Sequence, residues 1–89
     1  VIINGDDFGL AEPINEGILE AHEHGCLTSA SLAVVGPAVA SAVAGAARCP
    51  RLGVGLHLTL VGERPVSDPA TVPSLVDDSG RLHAGGMSF

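Results

Sequence analysis

Tryptophan and tyrosine are absent from this chain and phenylalanine occurs only twice, so its apolar content, 46 % of 89 residues, rests largely on alanine, valine and leucine, beside twelve glycines. Small side chains gain little each on burial and suit close packing of helices on strands. Basic residues are scarce as well. Arg48, Arg51, Arg64 and Arg81 stand apart in a chain of net charge −6. Nucleic acid and anionic membrane surfaces are held by clustered Lys and Arg, so neither is expected as a partner. The two cysteines, Cys26 and Cys49, lack CxxC spacing and offer neither a zinc knuckle nor a redox pair. They read as thiols of a reducing compartment, and a cytoplasmic location is the expectation. No apolar run approaches the ~18 residues of a membrane span, and no signal-peptide pattern is visible.

What is present is a regular alternation. Residues 1–4 form a short continuous apolar run, the pattern of a strand buried on both faces. A helix follows. Pro13 suits its first turn, Ile14, Gly17, Ile18 and Ala21 recur on one face, Glu12, Glu16, Glu20 and Glu23 on another, and Gly25 is placed for a left-handed cap. Residues 27–35 read as a second strand ending at Gly36-Pro37. Pro37 then opens a second helix, with Val39, Ala42, Val43 and Ala46 at helical spacing, which ends at Cys49-Pro50. Residues 53–58 are strand three. Strand starts thus recur about every twenty-six residues, and such β-α alternation implies parallel strands joined by right-handed crossovers. The fold class is α/β. After Thr59 the pattern dissolves into a long loop over residues 59–80, punctuated by proline and closed by the turn signal Asp77-Asp78-Ser79-Gly80. Loops at the C-terminal ends of parallel strands are where ligands bind in such folds, and a ligand-covering role is the preferred reading over a plain connector.

A closed eight-stranded barrel takes about 250 residues, of which three β/α units make roughly a third. The opening on a strand residue, and the start of a further element expected at Gly85-Gly86-Met87-Ser88-Phe89, read as the N-terminal fragment of one such barrel domain. A domain of this size buries only roughly 60 to 65 % of its unfolded surface, so the isolated stretch is expected to be marginally stable or to self-associate as a homo-oligomer through unpaired strand edges.

The chemistry concentrates in Ile2-Ile3-Asn4-Gly5-Asp6-Asp7-Phe8-Gly9, where an apolar run delivers two adjacent carboxylates and breaks at glycine. Neighbouring carboxylates raise each other's cost of ionisation, so a cation or a shared proton normally neutralises them. A divalent metal is the first candidate. Gly53-Val54-Gly55-Leu56-His57-Leu58 delivers a histidine to the same edge of a parallel sheet. Alternation puts Val54, Leu56 and Leu58 on one side, packed on helices, and leaves His57 on the side cleared by Gly53 and Gly55. Asp6, Asp7 and His57 are therefore expected to converge. In a regular strand the two Asp would face opposite ways, and Gly5 and Gly9 are where the backbone could relax. One carboxylate then holds the metal and the other acts as a base on water. The plain alternative is an Asx turn or a helix N-terminus contact. Asp7-Phe8-Gly9 is not the kinase motif, since no HRD or glycine-rich loop accompanies it. Gly5-Asp6-Asp7 is not a polymerase metal turn, since the basic surface is missing. His22, His24 and His83 read as surface or structural residues.

Asn4-Gly5-Asp6-Asp7-Phe8-Gly9-Leu10, Leu27-Thr28-Ser29-Ala30-Ser31-Leu32, Gly53-Val54-Gly55-Leu56-His57-Leu58-Thr59-Leu60 and Gly62-Glu63-Arg64-Pro65-Val66 together resemble the YdjC-like carbohydrate deacetylases. Pro73-Ser74-Leu75-Val76-Asp77 and Gly80-Arg81-Leu82 are similar to the hopanoid biosynthesis-associated subgroup known as HpnK. The resemblance implies a TIM-barrel-like, metal-dependent hydrolase that removes acetyl from an N-acetylated carbohydrate or glycolipid. It implies Asp6 as general base and Asp7 and His57 as ligands of a divalent metal, Mg or Zn favoured. A third ligand of the family comes from a later His-rich strand end, outside these residues. The family usually has Ala where this chain has Gly5. The hopanoid-linked amino sugar is the favoured substrate, with a chito-oligosaccharide as the family alternative. A non-catalytic sugar- or metal-binding β/α domain and a purely structural fragment are the rival readings.

Overall fold

A computed structural model describes residues 1–84; Gly85 to Phe89, where sequence suggests a further element, lie outside the described residues. Five main elements appear in the order β1 (Asn4–Phe8), α1 (Glu12–His24), β2 (Ser29–Leu32), α2 (Val39–Ala47) and β3 (Gly53–Leu56). The strands form one sheet in the order β1-β2-β3, every pair parallel, as the β-α alternation requires. These elements and His57 make one compact unit, Val1–His57; a second begins at Leu58.

The core of the first unit is built from Phe8, Ile18, Ala30, Ala42, Cys49 and Leu52, with Leu19, Leu27, Leu32 and Ala46 packed against it. Phe8 is its one aromatic, wholly buried, and alanines on β2 and α2 let the backbones approach. Burial pushes the Cys49 thiol up, helped by its hydrogen bond to the Glu23 carboxylate.

Several boundaries differ from the sequence reading. β1 starts later and runs through the acid pair, while Val1 and Ile2 are exposed. Apolar character alone could not distinguish a strand from the lead-in to one. β2 is confined to Ser29–Leu32, because Ala33 already turns back through the Gly36 N–H to Ala33 carbonyl bond. In α1 the buried positions are Asn15 and Ile18, whereas Ile14 is exposed and Gly17 has open space around it. The helix is rotated toward Asn15 by hydrogen bonds that hydrophobicity does not report. Gly25 ends α1 at φ −129°, not in the left-handed region; a Cβ there would press on the Ala21 carbonyl oxygen at 2.7 Å. α2 begins at Val39 rather than Pro37, and Val43 faces outward. Val54, Leu56 and Leu58 are 45 %, 60 % and 79 % exposed. They are not packed on helices as alternation suggested, for among the described residues no α-helix follows β3.

In the second unit, Pro69–Thr71 forms a short 3-10 turn capped by the Asp68 carboxylate. Val76 and Leu82 pair in an antiparallel bridge around the Asp77 to Gly80 turn, and Leu82 is buried. Asp77 accepts hydrogen bonds from the Ser79 hydroxyl and from the Ser79 and Arg81 amides. The Ser79 hydroxyl and then those amides hold its carboxyl below the usual carboxylate range.

Candidate functional site

The register of β1 on β2 carries the main finding. Asn4 pairs with Ser29 and Gly5 with Ala30, but the next pair is Phe8 with Leu32, so β1 spends one residue more than its neighbour over the same stretch. That is a β-bulge. The extra residue is accommodated at Asp7, which takes φ +66°, a left-handed conformation that Asp tolerates better than most side chains. Gly5 faces Ile18 and Leu27, and Phe8 lies in the same core as Ile18. Both therefore point toward the helices, and the two carboxylates between them are left off that face. Regular alternation would have divided them.

Asp7 and His57 meet. Asp7 Oδ1 lies 3.4 Å from His57 Nδ1, and that nitrogen is shielded from solvent. His57 is set just past β3 by its own backbone N–H, which donates to the Leu32 carbonyl at 2.9 Å. Asp6 does not join them as a third ligand: among the described residues no group of three His, Cys, Asp or Glu side chains is placed to hold one ion. Asp6 Oδ1 instead accepts from Asn4 Nδ2 at 2.9 Å.

The bulge is braced from behind. Asn15, 1 % exposed, accepts from the Gly9 N–H at 2.7 Å and donates to the Ala38 carbonyl at 3.0 Å. Ala38 N–H returns a bond to the Gly9 carbonyl, Gly9 itself takes φ +100°, and the Phe8 carbonyl accepts from Ala33 N–H at 2.7 Å. A Cβ on Gly36 would collide with the Gly9 carbonyl oxygen. The loops after β1 and β2 are thus locked together behind the acid pair. Sequence pattern alone gives Asn15 and Asn4 no role; the signal it offers is a polar residue beside an apolar helical stripe and an Asn inside a strand, where it is disfavoured.

His22 and His24 stay apart from this site. His22 Nδ1 bonds the Leu27 carbonyl at 2.8 Å, and His24 is exposed beside Glu23. An open depression of about 440 Å³ near His22, Cys26, Thr28 and Arg51 lies where α1 hands over to β2, at the opposite ends of the strands from Asp7 and His57.

The donor set suits a divalent cation. Two ligands bound at about 2.0–2.2 Å to one tetrahedral ion stand roughly 3.3–3.6 Å apart, and the Asp7–His57 separation of 3.4 Å falls there. One oxygen and one nitrogen donor fit zinc and other borderline ions.

Known proteins similar to this chain are longer than it. A carbohydrate deacetylase of Brevibacillus brevis is 47 % identical over 96 % of this chain. One of Geobacillus stearothermophilus is 45 % identical over 99 %, and a chitooligosaccharide deacetylase of Serratia marcescens is 38 % identical over 92 %. The chain spans 34 %, 35 % and 31 % of their respective lengths. A crystal structure from Enterococcus faecalis, provisionally named for cellobiose-phosphate cleavage, superposes with TM-score 0.90 at 37 % identity, over 97 % of this chain and 34 % of the other. The profile of the YdjC-like proteins matches residues 1–89, from the acid pair at the β1 bulge through the histidine after β3, and the chain belongs to that family.

Proposed function

We propose that this chain carries the carboxylate pair and one histidine of a metal-dependent carbohydrate N-deacetylase. The observation that carries the reading is the bulge at Asp7, with Asp7 Oδ1 3.4 Å from His57 Nδ1 and Asp6 the preceding residue, bonded to Asn4. Asp7 and His57 would hold a divalent cation, Mg or Zn, with a further ligand from outside these residues. When bound, that cation supplies Lewis acidity toward the amide carbonyl and the attacking water. Asp6 takes the proton of water as it adds to the acetyl carbon. The C–N bond then breaks, the proton passes to the departing amine, and acetate and a free amino sugar result. The relatives named as carbohydrate and chitooligosaccharide deacetylases support this substrate class. Within it, a glucosamine-type glycolipid of the hopanoid kind is favoured by the resemblance of residues 73–77 and 80–82 to that subgroup. A cytoplasmic location accords with the unpaired thiols of Cys26 and Cys49.

The test separates the two carboxylates in the full-length protein, with metal stoichiometry and acetate release measured side by side. Asp7→Ala and His57→Ala should lose metal and activity together. Asp6→Asn keeps its shape and should keep its metal while turnover falls by the ~10²- to 10⁴-fold of a lost general base. An Asp6→Asn protein that arrives metal-free and regains activity in excess metal would exchange the two roles. Sugar binding without acetate release would move the protein to a binding function.

A further inference from the structure

Asn4 sits two residues before Asp6 on the same face of β1 and makes three side-chain hydrogen bonds. Its Oδ1 accepts from Ser29 Oγ at 2.7 Å, and its Nδ2 donates to Ser31 Oγ at 3.0 Å and to Asp6 Oδ1 at 2.9 Å. Ser29 is the direct register partner of Asn4. The Asp6 carboxylate decides which end of the amide is which: a carboxylate oxygen can only accept, so Nδ2 faces Asp6 and Ser31 while Oδ1 accepts from Ser29. A reversed amide would set its oxygen against Asp6 Oδ1 and lose that bond, whereas the hydroxyls of Ser29 and Ser31 can exchange donor and acceptor roles. A strand gains nothing intrinsic from Asn at this position, and cross-strand pairing of Asn4 with Ser29 would not require a bond to Asp6.

From this geometry we propose that Asn4 is a positioning residue for Asp6, oriented in turn by Ser29 and Ser31. It fixes Oδ1 so that the second carboxylate oxygen, Oδ2, is presented to the proton being removed. The proposal rests on the assignment of Asp6 as general base. It places a three-residue polar support, contributed by β1 and β2, beneath a carboxylate whose neighbour is committed to the Asp7–His57 contact.

The experiment is a double-mutant cycle on the full-length holoenzyme, with kcat, KM and metal content measured for Asn4→Ala, Asp6→Asn and the pair. Asn4→Ala should lower kcat by roughly ten- to a hundred-fold, the effect of losing one hydrogen bond to a charged group, with KM and metal content unchanged. In the Asp6→Asn background the same change should cost less than twofold, because there is no longer a base to orient. Ser29→Ala should reproduce part of the kcat loss and Ser29→Thr, which keeps the hydroxyl, should restore it. An equal loss from Asn4→Ala in both backgrounds, or a loss traced to metal content, overturns the positioning role. Full activity of Asp6→Asn alone overturns the base assignment and this proposal with it, so the two failures are told apart by which single variant shows them.

Discussion

Removal of the Asn15 amide is the sharpest structural test, because one buried side chain connects α1, the turn after the acid pair and the start of α2. In Asn15→Ala the Gly9 N–H loses its 2.7 Å acceptor in a place where Gly9 is buried. A buried donor left without a partner costs about 1–3 kcal/mol. The Ala38 carbonyl is better off, since it also accepts from Ala42 N–H at 3.1 Å, so its loss adds only a fraction of that. With the packing forfeited by truncating a fully buried side chain, the total is about 2–4 kcal/mol. Asn15→Asp is a stricter comparison. It keeps the acceptor for Gly9 but sets a buried carboxylate oxygen against the Ala38 carbonyl. Burial raises the carboxyl's folded pKa above the unfolded ~3.9. Its destabilisation should then be largest at neutral pH and should shrink as pH falls through the folded value, where a protonated carboxyl can donate to Ala38. Urea denaturation of the full-length protein at several pH values gives both numbers. Asn15→Ala within 0.5 kcal/mol of wild type, or an Asn15→Asp penalty that grows on acidification, would refute the bracing argument.

Two further outcomes follow from local geometry. Gly17→Ala, mid-helix and with open space around the added Cβ, should stabilise by about 0.5–1 kcal/mol, whereas Gly36→Ala should destabilise, since its Cβ meets the rigid Gly9 carbonyl; paired urea melts read both signs. In the second unit, the Asp77 carboxyl is held low by the Ser79 hydroxyl and the Arg81 and Ser79 amides. The turn's stabilisation should therefore be complete above the unfolded carboxyl pKa of ~3.9 and lost as pH falls through the lower folded value. Hydrogen exchange at the Ser79 and Arg81 amides should show that acid loss in wild type and not in Asp77→Asn.

The parallel α/β order was legible because each strand-helix unit repeats the same punctuation: an apolar run, a break near glycine or proline, and a helical stripe. What escaped was whatever hydrogen bonds decide. Hydrophobicity, the only periodic signal available, gives α1 a stripe of Ile14, Gly17, Ile18 and Ala21, which includes the buried Ile18 but misses Asn15, whose amide satisfies two backbone groups. The convergence of Asp7 with His57 could be anticipated from parallel strand ends alone. The means could not. Of the two glycines where the backbone could relax, Gly9 does so at φ +100°, but Gly5 stays in register with Ala30, and a further left-handed residue is Asp7 itself. A bulge is a property of two strands counted against each other, so no single stretch of sequence displays it. Its cost, about 1–2 kcal/mol for a left-handed non-glycine residue, is repaid by the bonds that Gly9, Ala38 and Asn15 exchange behind it. That arrangement lets a strand of period two present two consecutive carboxylates off the face its helices cover, one directed to His57 and the other held by Asn4. A glycine at position 7 would adopt the same backbone more easily and could not offer the carboxylate, so the residue that bears the strain is the one whose side chain makes the site.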